Sequence, residues 1–271
     1  MSHTGVRTRG TVFDYRLLGV VELGAVPEPG AQSALTRALL TALLLEESRF
    51  VSHDKLIRAM WERPPASAVA NMRTYVNRLR CWLALSGLGD RLQTRRRDGG
   101  GGGGYRLPVE TARCDVLAFR LAAEEGGAAL RANDVRSAAN VLHQAMEIWP
   151  QSAQLSVTAP ADSWLGIRLA DLDEARLQAA ENLRAARLML GDAPLLMWEL
   201  RGHVAAYPHR ERAWGQLMQG LYLDRDPAAA LDTFHSARHC FDRDLGVELS
   251  PNLHRLYRAI LRHDEPAVIT W

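Results

Sequence analysis

From Ser67 to Pro108 the chain reads SAVANMRTYVNRLRCWLALSGLGDRLQTRRRDGGGGGGYRLP, and no other stretch constrains its fold as tightly. Val69, Met72, Val76, Leu79 and Leu83 recur at spacings of three and four. That period predicts a helix from near Ala66 or Ser67 to about Ser86, stopped by Gly87 and Gly89. At about 100° per residue the opposite face centres on Thr74 and carries Asn71, Asn77 and Arg78, with Arg73 and Arg80 on its flanks and Tyr75 beside it. A short basic strand follows, ending in Arg95, Arg96 and Arg97. Then come Asp98, six glycines (99–104) and a second strand that opens on Tyr105 and Arg106.

Between Ser67 and Leu88 there is no Asp or Glu. A helix that merely faces water mixes charge signs, because opposite charges four residues apart support one another. A wholly cationic polar face implies a phosphate neighbour. Asn and Arg make bidentate contacts to adenine and guanine edges, and Thr can meet a thymine methyl. Flanking arginines suit phosphates, and hairpin arginines suit the adjacent backbone or minor groove. A groove-entering helix with a cationic hairpin behind it is the arrangement of a winged-helix DNA reader. The glycine run has no GK[ST] and opens no helix, so it is read as a mobile hairpin tip rather than a phosphate cradle.

The segments around this core agree with that arrangement. Tyr15 to Leu23 suits a strand or small sheet, and Gly24 to Gly30 a loop. Gln32 to Phe50 carries leucines at helical spacing. Ser52 is a helix N-cap, followed by Leu56, Ile57, Met60 and Trp61 on one face, and Pro64-Pro65 ends that helix. From Cys114 onward only helices are predicted: 116–132, 134–149, 161–190, 193–207, 210–224, 227–245 and 252–262. The turns at Gly191-Asp192 and Arg225-Asp226 lie about 34 residues apart, the period of tetratricopeptide-like helix pairs. The fold class expected is mostly α: an N-terminal winged-helix (α+β) domain, then an all-α helical-repeat domain. The boundaries are a flexible segment 1–13, a DNA-binding domain 14–108, a helical domain 112–263 and a tail 264–271.

Charge divides along the same line. Residues 1–108 hold 16 Lys and Arg against 9 Asp and Glu, a net of +7, and residues 109–271 hold 17 against 22, a net of −5. Only the first domain calls for a polyanionic partner. No apolar run reaches the roughly 18 residues of a membrane helix, and MSHTGVRTRGTVF has no signal core, so the expected location is cytoplasmic, with no membrane partner. Cys81, Cys114 and Cys240 are too few and too irregular for a disulfide framework. His235, His239 and Cys240 share a helix, but with no second ligand pair they imply no metal. No nucleophile elbow, paired carboxylates or Cys/His dyad stands out. No catalytic residue and no cofactor is therefore expected, and the chain is not read as an enzyme.

The segments VSHDKLIRAMW, ANMRTYVNRLRCWL and TRRRDGGGGGGYRL resemble the OmpR-type winged-helix domain of the Streptomyces antibiotic regulatory protein (SARP) family. LRANDVRSAANVLHQAMEIW and HRERAWGQLMQGLYLDRDPAAALDTFHSARHCFDRDLGVELSPNLHRLYRAIL resemble the bacterial transcriptional activator domain of the same family. The similarity runs from about Asp14 to Leu261, and it is most specific in LGVELSPNLHRLYRAIL. It implies an activator of antibiotic and other secondary-metabolite genes. Such a protein binds direct repeats in double-stranded promoter DNA as a side-by-side dimer and recruits RNA polymerase through its sigma and alpha subunits. The resemblance is to the short members, without an ATPase extension.

Three segments depart from the pattern. GAQSALTRALL replaces a Pro-Lys-Gln-Arg-like segment and leaves Arg37 and Gln32. The glycine run lengthens the wing, and PQSAQLSVTAPADSWLG replaces a Trp-Arg-Gly-Pro segment after Trp149. The rival reading is a helical-repeat scaffold or adaptor whose winged helix binds protein.

Overall fold

The structure, a computed structural model, describes residues 13–24, 33–96, 103–150 and 153–271. The chain divides into two compact units, one of residues 1–123 with 144–177 and one of residues 124–143 with 178–271. The charge break near residue 110 is therefore not where compactness changes.

In the first unit β1 (Tyr15–Arg16) pairs antiparallel with β2 (Glu22–Leu23). Helix α1 (Ala34–Leu45) starts at Ser33, whose side chain accepts from the Thr36 amide. Its leucines 39, 40, 43 and 44 are fully buried. After β3 (Val51–Ser52), helix α2 (His53–Met60) is capped by Ser52, whose hydroxyl accepts from the Lys55 amide at 3.2 Å, as its sequence position predicts. Helix α3 (Ala68–Leu85) follows the double proline. The hairpin of β4 (Gln93–Arg95) and β5 (Gly104–Arg106) completes a three-stranded antiparallel sheet ordered β3-β5-β4.

One apolar expectation is corrected. Val69 is not core but 56% exposed, and Ala68 and Trp82 take inward positions beside Met72, Val76, Leu79 and Leu83. Residue 69 lies in the first turn of α3, where the helix overhangs a cleft rather than another helix. Periodicity finds the stripe but not where its cover ends.

The glycine run is also more structural than a hairpin tip requires. Residues 97–102 lie outside the described residues, but Gly104 pairs with both Ser52 and Arg95 in the central strand. A Cβ at Gly104 would collide with the Val51 backbone. Gly104 is needed for close approach of strands, not for freedom.

Three later helices contribute to both units: α4 (Asp115–Arg131), α5 (Val135–Ile148) and α6 (Trp164–Met189). In the first unit Phe119 and Trp149 meet edge to face at 5.1 Å, and the Arg176 guanidinium lies 5.1 Å from the Trp149 ring. The indole of Trp164 donates to the Lys55 carbonyl at 3.1 Å. These aromatic anchors, Phe119 and Trp149 buried and Trp164 half-buried, account for the grouping of residues 144–177 with the first unit. Asp115 fastens the start of α4 to the N-terminal strands by accepting from the Leu17, Leu18 and Val116 amides. Burial pushes its carboxyl up to about 6, even though those amides favour the charged form.

In the second unit all the secondary structure among the described residues is helical. Its main core joins α7 (Ala193–Ala206), α8 (Glu211–Leu223), α9 (Pro227–Leu245) and α10 (Pro251–Leu261). The expected turns are present: Gly191 (φ +91°) precedes α7, and Arg225 (φ +66°) precedes α9. The motif LGVELSP is a helix stop followed by a helix start. Gly246 ends α9 in the left-handed region, Leu249 is buried, and Ser250 caps α10. Glu211 Oε1 then accepts from the Ser250 amide and hydroxyl, fixing the corner to α8. Residues 264–271, expected as a tail, include α11 (Glu265–Ile269). Val268 there is fully buried, and its carbonyl accepts from Gln219.

A charged hub lies inside this unit. Glu181 is 1% exposed and takes hydrogen bonds from Arg210 Nε at 2.7 Å and Nη2 at 3.1 Å, with His203 Nε2 at 3.0 Å. Arg212 Nη1 stands 3.8 Å away. Burial alone would raise the carboxyl, but His203, Arg210 and Arg212 together hold it at about 2.

Candidate nucleic-acid interface

The polar face of α3 is open along its length. Arg73, Thr74, Asn77 and Arg78 are exposed, and Asn71, Tyr75 and Arg80 are half-buried. Asn71 Nδ2 donates to Ser67 Oγ at 3.2 Å and the Thr74 hydroxyl to the Ala70 carbonyl at 3.4 Å, both local contacts that a base edge could replace. Arg78 lies 5.7 Å from the Tyr75 ring, which itself leans on Trp61 at 6.0 Å. Among the described residues the side chains of Arg73 and Asn77 have no hydrogen-bond or ion-pair partner.

Arg80 sits differently from the other arginines of the helix. Its Nη2 donates to Thr94 Oγ1 at 2.8 Å and to the Leu92 carbonyl at 3.4 Å, and its Nε stands 3.4 Å from Asp90. It is a strut that fixes strand β4 against the helix. The hairpin has a second clamp that sequence reasoning missed. The Phe50 ring has two guanidiniums 4.8 Å from its centroid, those of Arg95 and Arg106, and Arg106 Nε also donates to Gln93 Oε1 at 2.6 Å. The only signal in the sequence was an aromatic residue directly before β3.

Arg95 and Arg96 are exposed on the hairpin, and Arg97 lies outside the described residues. A cleft of about 370 Å³ runs between α2, α3 and the hairpin. Arg73 lines one wall and Arg95 with Arg96 the other, with Val69, His53 and Tyr105 between them. The flank of α3 and the wing arginines thus meet on one side, and no acidic residue among the described residues lines the cleft. That convergence suits a phosphate backbone passing between helix and hairpin.

The histidines of α9 do not gather. His235 packs against Phe234 and Tyr257, while Cys240 instead neighbours His209 and Asp244, whose carboxylate is already paired with Arg243. No helix among the described residues is long and apolar enough to cross a membrane.

Comparison with known proteins agrees with this architecture. Residues 114–261 match the family model described as "Bacterial transcriptional activator domain", and residues 30–107 match "Transcriptional regulatory protein, C terminal". The "Regulatory protein DnrI" of Streptomyces peucetius is 32% identical over 84% of this chain and 84% of its own length. The "Transcriptional regulatory protein MoaR1" of Mycobacterium tuberculosis is 32% identical over 83% of this chain and 71% of its own. A solved structure of Mycobacterium tuberculosis EmbR, in complex with a low affinity phosphopeptide, superposes with a TM-score of 0.79. It is 26% identical and covers 96% of this chain and 69% of that one. These relatives are regulators rather than enzymes. The chain belongs to the SARP-type family of bacterial transcriptional regulators, in which an OmpR-type winged-helix DNA-binding domain precedes a bacterial transcriptional activator domain.

Proposed function

We propose that this regulator binds double-stranded promoter DNA with α3 in the major groove and its hairpin along the adjacent backbone. The observation that carries the reading is the one-sided convergence of Arg73 on α3 with Arg95 and Arg96 on the hairpin, beside an exposed face free of acids. In this reading Asn71, Thr74, Asn77 and Arg78 meet base edges, and Tyr75 braces Arg78. Arg73, Arg95, Arg96 and Arg97 neutralise phosphates. Arg80 and Arg106 act mainly by holding the hairpin in place. The family resemblance extends the proposal. Two protomers occupy direct repeats side by side, the helical unit contributes to their packing, and RNA polymerase is recruited through its sigma and alpha subunits. The genes activated are those of antibiotic or other secondary-metabolite synthesis, and the site of action is the cytoplasm.

Footprinting on the promoters adjoining its own gene, followed by anisotropy titrations against salt, tests the proposal. Arg78→Ala should cost about 1–3 kcal/mol on the specific site and relax base preference there. Equal losses on specific and random DNA would remove Arg78 from base readout. Arg96→Ala should weaken all sequences alike and reduce the salt slope by up to about one unit. An adaptor that binds only protein would leave no footprint at any promoter.

A further inference from the structure

The second unit contains a cavity of about 340 Å³ for which DNA binding has no use. Arg131 of α4 and Arg212 of α8 line it together with Asn182, Gln216, Met189 and Trp271, and no Asp or Glu among the described residues is in its wall. The Arg131 side chain has no ion-pair or hydrogen-bond partner among the described residues. Arg212 is held in place by Asn182 Oδ1 at 2.7 Å and stands 3.8 Å from Glu181, but that one carboxylate is shared with Arg210 and His203, which take its short hydrogen bonds. The site therefore keeps a surplus of positive charge. Gln216 is 1% exposed; its Nε2 donates to the Glu181 carbonyl at 2.6 Å, but its Oε1 has no partner. Buried polar atoms of this kind are rarely left unsatisfied. Trp271 and Met189 supply flat and apolar wall.

Two guanidiniums, an orphan acceptor and an indole define a complementary ligand. We infer that the second unit binds a small hydroxylated aromatic carboxylate. Its carboxylate would lie between Arg131 and Arg212, its ring against Trp271, and its hydroxyl would donate to Gln216 Oε1. The inference concerns a different unit from the DNA-reading face, and it does not depend on that face binding DNA.

The probe is 6-hydroxy-2-naphthoate, titrated calorimetrically into the full chain, with 6-hydroxy-2-naphthamide as its uncharged counterpart. One site per chain is expected, and the amide should bind at least about tenfold more weakly. Arg131→Ala, on an exposed residue, should raise the Kd at least about tenfold. Gly127→Leu is an independent steric block. A Cβ there stands an ordinary 3.4 Å from Asn182 Nδ2 and 3.5 Å from Arg131 Nη1, the rest of the side chain fills the cavity, and leucine favours the helix. It should abolish binding with the melting temperature unchanged or raised. Absence of heat at millimolar naphthoate, equal binding of the amide, or naphthoate binding unaffected by both substitutions would each overturn the inference.

Discussion

Replacing Glu181 with Ala is expected to destabilise the protein by about 3–5 kcal/mol, because it removes one partner from a buried charge cluster and leaves the others uncompensated. Arg210 would lose two hydrogen bonds, His203 its carboxylate contact, and Arg212 its nearest counter-charge. Arg184, 3% exposed, 3.9 Å from Glu199 and also offset by the charge of Glu181, would then sit in a more strongly cationic interior. At this chain length the loss corresponds to a fall of roughly 10 °C in the melting midpoint, read by circular dichroism at neutral pH. A midpoint within a degree or two of wild type would mean that the hub contributes no net stability. The pH dependence has a definite sign. The folded carboxyl sits at about 2, below its ordinary 4.5. Its stabilisation is therefore fully present above about pH 4.5 and is lost as pH falls through 2. Acid titration of stability should be steeper for wild type than for Glu181→Ala across that window.

The second large effect is expected at Gly104. Gly104→Val should cost about 3 kcal/mol or more, since the new side chain has no room against the Val51 backbone in the central strand. Because β5 holds both β3 and β4, the strain reaches the hairpin that carries Arg95 and Arg96. In the proposed reading, DNA affinity should fall with stability, whereas Arg96→Ala should lower affinity without moving the melting midpoint. A Gly104→Val protein as stable as wild type would show that the strand approach is looser than described. Substitution at Gly87, where a Cβ meets open space but φ is +76°, provides a milder comparison governed by backbone strain alone.

Features of the fold that depend on local chemistry were legible in the sequence. Helix α3 follows from a three-and-four spacing between a double proline and a glycine stop, and its open polar face follows from the same wheel. The Ser52 cap needed only the hydroxyl and the helix behind it. The turns at Gly191 and Arg225 were readable because left-handed or sharply turning residues interrupt otherwise continuous apolar periods. The acid-free run from Ser67 to Leu88 marked the side of α3 that the structure leaves exposed and cationic.

What the sequence left open were partnerships across distance. Val69 carries the same apolar signal as Met72, yet among the described residues it stays 56% exposed, because a wheel records which side is apolar and not how far the neighbouring element extends. Arg80 and Arg73 look alike on the helix. Only the packing of β4 against α3 gives one of them Thr94, Leu92 and Asp90 and leaves the other facing the cleft. Phe50 became a clamp because antiparallel pairing brings Arg95 and Arg106, eleven positions apart in sequence, to one ring. The division of the chain was hidden for the same reason: Phe119, Trp149 and Trp164 read as ordinary helix residues until their buried contacts group residues 144–177 with the first unit.

The sequence by itself determined the order of elements, the helix that carries the exposed polar face, the basic character of the hairpin and the family, since these rest on spacing, capping and charge along a local stretch of chain. The tertiary structure alone decided which arginines are spent on structure and which stay free. It also decided that a glycine thought to loosen a loop instead lets two strands close, and that Glu181 gathers cations from positions up to 31 residues away. Hydrogen bonds and excluded volume act between atoms in space, and a one-dimensional pattern records only which atoms are available.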